Sequence, residues 1–107
     1  MRSITSLACL IPMALLASSA QATGTAQDFD LACAVTSAAE VVSTPSGSEA
    51  REFAFRIHWF YVGRLSGRDD NTYWFAVVQG KLAQLKDKAR NSDLYGECLV
   101  FAAKQIS

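Results

Sequence analysis

Glu49-Ala50-Arg51-Glu52-Phe53-Ala54-Phe55-Arg56-Ile57-His58-Trp59-Phe60-Tyr61-Val62-Gly63-Arg64-Leu65-Ser66 supports two opposite architectures, because its aromatic residues favour a sheet while its spacing favours a helix. A half-buried strand would sort polar and apolar residues by parity, and here Arg56, His58 and the apolar residues do not separate that way. At helical spacing, Phe53, Ile57 and Phe60 form one stripe and Phe55, Trp59 and Val62 another. Glu49, Glu52 and Arg56 make a polar edge, and Glu52 and Arg56 are a favourable i,i+4 pair. The segment therefore reads as an apolar helix from Glu49 to about Ser66.

Working outward, Gly67 is expected to stop this helix and Asp69 or Asp70 to cap the next. Trp74, Val78, Leu82, Leu85 and Ala89 then keep a helical stripe from Thr72 to Arg90, opposed by Lys81, Gln84 and Lys88. Gly80 within it implies either the close approach of a neighbouring helix or a local break. Asn91-Ser92-Asp93 reads as a turn and cap. Leu94, Cys98 and Phe101, with Tyr95, Leu99, Ala102 and Ile106 alongside, make a last helix. Upstream, Ser43-Thr44-Pro45-Ser46-Gly47-Ser48 is a loop in which Ser46 with Glu49 forms a capping box and Ser48 is a competing cap. A first helix from Asp28 to Val42 places Leu31, Val35, Ala38 and Val42 on one stripe, beside Phe29 and Cys33, with Asp28 and Asp30 at its positive end. Thr23 to Gln27 is a polar tail. The expected fold class is all-α, a small four-helix bundle.

The segment 1–22 reads as a signal peptide. Arg2 supplies a positive start, Ile4 to Leu16 an apolar run, and Ala20-Gln21-Ala22 the small residues of a signal-peptidase site, with cleavage after Ala22. The rival, an uncleaved anchor, suits a run this short and interrupted by Thr5, Ser6 and Pro12 poorly. Cys9 lacks the leucine three places earlier that a lipid-anchor site requires. The expectation is a periplasmic or secreted protein with a single helical domain over 23–107 and no membrane attachment after cleavage.

Cys33 and Cys98 are the two cysteines beyond that leader, and in an oxidising compartment an even pair closes into a disulfide. The bridge would tie the first helix to the last, and loop-closure entropy assigns it roughly 4 kcal/mol. A domain this short buries a small fraction of its surface and needs such a staple. A redox or metal role for the pair finds no Cys-x-x-Cys and no neighbouring histidine.

With 10 Lys+Arg against 10 Asp+Glu, charge gives no reason to expect nucleic acid. The four positive residues of Lys81 to Arg90 read as a solvated face. Paired-histidine metal spacing, a Gly-rich phosphate loop, a haem attachment and a Ser/His/Asp context are all missing from the sequence, so no cofactor or metal and no enzymatic activity is expected. His58 is the one candidate acid–base group, and its aromatic neighbours favour a packed, structurally hydrogen-bonded role. Arg64 and Arg68, with Gly63 and Gly67 at a helix junction, form a candidate anion-binding site. The competing reading compensates the helix C-terminus with arginine.

Of 11 aromatic residues, eight lie between Phe53 and Phe75. Core packing accounts for such residues most simply, but a domain of this size encloses only part of their surface. Phe55, Trp59, Tyr61 and Trp74 are therefore the candidate partner or ligand surface, for a second copy of the chain, another protein or an apolar ligand.

The string Phe60-Tyr61-Val62-Gly63-Arg64-Leu65-Ser66-Gly67-Arg68-Asp69, with an export leader and a single cysteine pair, resembles small, uncharacterised exported two-cysteine helical proteins. In size and in its two cysteines the chain also resembles HdeA-like periplasmic acid-stress chaperones, although its cysteine spacing is longer. That resemblance implies exposure of apolar surface on protonation and the holding of unfolding clients. The functional expectations are thus a non-enzymatic binding protein first, an acid-activated chaperone second, and a small enzyme centred on His58 third.

Overall fold

A computed structural model describes residues 26–106; the leader expected over residues 1–22, with Cys9, lies outside them. Among the described residues four α-helices follow one another: α1 over 26–43, α2 Glu49–Arg68, α3 Trp74–Leu85 and α4 Ser92–Ile106, with a 3-10 turn, Lys86–Ala89, after α3. The described residues contain no strand. The fold class is all-α, as the sequence predicts, and the Cys33–Cys98 disulfide joins the first helix to the last, with Cα atoms 5.7 Å apart.

α1 begins earlier than expected, taking Ala26 and Gln27 from the polar tail, and it is the centre of the molecule. Every residue from Cys33 to Ala39 is buried, so the helix is enclosed around its whole circumference and not along one stripe. The sequence permits this because those residues are small: Cys33, Ala34, Val35, Thr36, Ser37, Ala38 and Ala39 leave room for neighbouring helices to approach the backbone. Their two hydroxyl groups are satisfied, one within the helix and one across to the start of α4. Ser37 donates to the Cys33 carbonyl at 2.6 Å, and Thr36 accepts the Asn91 amide at 3.2 Å. Val42, expected on the core stripe, is 65% exposed, and Val41 takes the buried position.

The loop after α1 closes by hydroxyl chemistry. Thr44 donates back to the Glu40 carbonyl at 2.9 Å, Gly47 adopts φ +79° to turn the chain, and Ser48 caps α2 by accepting the Arg51 amide at 3.2 Å. Of the two candidate caps Ser48 is the one used, because it directly precedes the helix.

α2 continues through Gly67 to Arg68, past the expected stop. Its buried residues are Ala54, Ile57, His58, Tyr61, Val62 and Leu65. This corrects both expected stripes: Phe53, Phe55 and Trp59 face outward and Phe60 is half-buried. The small residues of α1 let Ala54 and His58 pack inside, His58 reaching the Ala34 carbonyl, while Phe53, Phe55 and Trp59 stay outside.

Neither Asp69 nor Asp70 caps α3. Asp69 instead accepts from the Asn71 amide at 3.0 Å and the Thr72 hydroxyl at 2.6 Å, shaping the turn, while its carbonyl accepts from Trp74 Nε1 at 2.9 Å. α3 is shorter than its stripe suggests. At Lys86 the backbone turns to φ +51°, and the following 3-10 turn brings Ala89 back into the core. Gly80 is not a point of close approach, since nothing lies within 4 Å of the position its Cβ would occupy. Asn91 then caps α4, its Oδ1 accepting the Leu94 amide at 3.0 Å. In α4, Cys98 and Ala102 are buried, and Ile106 is exposed.

Candidate functional site

The outward rings of α2 meet the start of α3. Trp59 stacks on Phe75 with ring centroids 5.5 Å apart and planes 9° apart, and Tyr73 leans on Phe75 at 6.2 Å. Phe55 is 43% exposed, Trp59 50% and Tyr73 73%. Turn geometry sets this arrangement: Phe55 and Trp59 are one helical turn apart on α2, and the Asp69–Thr72 turn delivers Tyr73 and Phe75 beside them. The result is an exposed aromatic face across two helices.

Of the four residues expected on a partner surface, Phe55 and Trp59 lie on this face. Tyr61 and Trp74 do not. Tyr61 is fully enclosed, its hydroxyl donating to the Cys98 carbonyl at 2.6 Å and its ring meeting Phe29 edge-on. Burial, and secondarily the charge of Asp30, raises the Tyr61 phenol to about 12, with Arg64 opposing. Trp74 is buried against the α2–α3 turn through its bond to Asp69. Phe75 and Tyr73, which their sequence positions do not single out, complete the face.

Beside the face, a cleft of about 210 Å³ runs between α1, α2 and α3. Val41, Phe55, Phe75 and Leu82 form its apolar walls, and Arg51, Gln79 and His58 its polar groups. His58 is 2% exposed, packs edge-on to Trp59 with centroids 5.0 Å apart, and places Nδ1 3.0 Å from the Ala34 carbonyl. A carbonyl only accepts, so this contact requires Nδ1 to carry the proton and leaves Nε2 as the acceptor. Burial lowers the His58 pKa from its ordinary value, partly offset by the bond to Ala34. No carboxylate is hydrogen-bonded to this imidazole among the described residues.

Arg64 and Arg68 converge on Asp30. The carboxylate, 1% exposed, accepts from Arg64 Nε at 3.1 Å and from Arg68 Nη1. The Arg64 guanidinium also lies over the Phe101 ring, 4.8 Å from its centroid. The anion gripped at this junction is thus a side chain of the chain itself. By sequence Asp30 only complements the start of α1; a signal for its burial exists, since it lies three and four residues before Cys33 and Ala34 on one face.

Among the described residues no group of three or more His, Cys, Asp or Glu is placed to hold a metal ion. No helix among them is long and apolar enough to cross a membrane. Fold and face together define a disulfide-closed helical protein with a stacked aromatic surface. Set against protein-family models, curated proteins and solved structures, the chain matches none of them.

Proposed function

We propose that this chain is a small exported binding protein without enzymatic activity, directed to the periplasm or the exterior by Met1–Ala22, that engages a protein partner or a second copy of itself through the aromatic face of α2 and α3. The observation that carries the reading is the exposed Trp59–Phe75 stack, flanked by Phe55 and Tyr73. Large rings held rigid at the surface supply contact area at little entropic cost, which is why they dominate binding hot spots. The disulfide supports the address, because such bonds persist in oxidising compartments.

The test compares oxidised wild type with Trp59→Glu. In sedimentation experiments and in pull-downs from the exported fraction, the expected result is self-association or partner capture by wild type that the variant loses. Monomeric wild type that captures nothing sensitive to Trp59 overturns the reading.

A second reading, the acid-activated chaperone, has an observation of its own in His58, whose burial disfavours the charged imidazole. Acid that charges this ring within an apolar site, and adds positive charge overall, would loosen the fold and expose apolar surface. Client aggregation suppressed only at low pH, together with dye-accessible apolar surface there, would support it; unchanged aggregation in acid would remove it.

A further inference from the structure

We propose that the cleft between α1, α2 and α3 is a binding site for a compact phenol, an aromatic ring bearing one hydroxyl, with the ring against Phe55 and Phe75 and the hydroxyl donating to Nε2 of His58.

Three observations converge on this chemistry. The first is an unused acceptor. Nδ1 of His58 is committed to the Ala34 carbonyl, and no group of the described chain bonds Nε2. Yet no fully enclosed side-chain nitrogen or oxygen among the described residues lacks a partner, so Nε2 must be the edge of this otherwise buried ring that is open to the cleft. Open to the cleft, with Nδ1 committed elsewhere, Nε2 is placed to accept a hydrogen bond from a ligand hydroxyl.

The second observation is size and wall chemistry. A space of about 210 Å³ holds the volume of about seven waters, which suits one substituted six-membered ring. Its walls are apolar, with two aromatic rings, Phe55 and Phe75, and the latter is fixed by its stack on Trp59. Ring against ring adds attraction beyond the area buried.

The third observation is the kind of donor that Nε2 can meet. Arg51, the charged group lining the cleft, repels an ammonium donor, and a carboxylate has no proton to donate to Nε2. A neutral hydroxyl on an aromatic ring supplies the proton without the positive charge. The site shares Phe55 with the docking face but needs neither self-association nor a protein partner.

The experiment uses oxidised, ¹⁵N-labelled wild type and two probes of near-equal shape, 4-methylphenol and its methyl ether, which lacks the donor. His58 is the only histidine of the chain, so its imidazole nitrogen signals need no assignment by mutation. Expected are a shift of the Nε2 resonance with 4-methylphenol, movement of the Val41 and Leu82 methyl signals with both probes, and about fivefold weaker binding of the ether, the value of one net hydrogen bond. Gln79→Trp, an exposed change at the mouth of the cleft, is expected to weaken the phenol at least about tenfold by occupying the space. Equal affinity for the two probes, an unmoved Nε2 signal, or full binding by folded Gln79→Trp would overturn the site. Wild type that neither self-associates nor captures a partner can still show these shifts, so failure of the docking face and failure of the cleft are read separately.

Discussion

Asp30 places a carboxylate on a helix that is otherwise apolar or hydroxylated at that depth, and only Arg64 and Arg68 make its burial tolerable. Because the arginines keep part of their surface in water, removing the acid frees two groups that solvent can receive, whereas removing both arginines strands a charge. Asp30→Asn is therefore expected to cost about 1–2 kcal/mol, and the double variant Arg64→Leu/Arg68→Leu about 3–5 kcal/mol, in urea unfolding. An inverted order of the two losses would show that the carboxylate is not the dominant buried charge. His58 gives a pH signature with a definite sign. Its folded pKa lies below the unfolded value of 6.5, so the unfolded chain binds the proton first on acidification. Stability is full above about pH 6.5 and falls as pH drops from there through the folded pKa. In His58→Gln, whose amide still reaches a carbonyl as donor, that slope should vanish over the same interval of the urea midpoint.

At the scale of elements, α3 and its 3-10 turn show most clearly where backbone and sequence disagree. Lys86 holds a positive φ that costs a non-glycine residue about 1–3 kcal/mol, so Lys86→Gly should gain about 1 kcal/mol after the entropy of the unfolded glycine is subtracted. Gly80→Ala should gain a similar amount, about 1 kcal/mol, because the added methyl meets nothing and the helix interior prefers it. Thermal unfolding of the two single variants checks both; a loss at Gly80 would reveal a neighbour that packs there. The helices themselves were legible, since the spacing of Trp74, Val78 and Leu82 admits one period. The break at Lys86 was not, because Leu85 and Ala89 continue the same stripe and no glycine or proline marks the turn. What imposes it is tertiary: Ala89 must reach the core and Asn91 must reach Thr36. In α2 the failure had the opposite origin. Rings surround the helix, so ring positions alone cannot select the buried side, and the choice falls to Ala54 and the slender wall of α1. Half of the candidate face was readable for the same reason: Phe55 and Trp59 are outside, while Tyr61 and Trp74 look equally available in a linear string.

For the molecule as a whole, stability is divided between a central helix of small residues and one covalent tie. Small side chains bury little apolar area each, about 25 cal/mol per Å², so α1 relies on being surrounded. Reducing Cys33–Cys98 is expected to lower unfolding free energy by about 4 kcal/mol, enough to leave the chain largely unfolded at moderate urea. Urea titrations with and without a reductant measure this directly, and coincident curves would assign the burden to packing instead. The charge cluster at Asp30 and the imidazole at Ala34 lie within one helical turn of Cys33, so covalent, ionic and hydrogen-bonded anchors all converge on α1.

That convergence also decides how the protein would withstand proteolysis. The Pro45-Ser46-Gly47 corner is an exposed bend, and a nick there falls inside the ring closed by the two sulfurs. The severed pieces would migrate as one species on a non-reducing gel and separate only when thiol is added, so a clipped molecule stays joined across the cut.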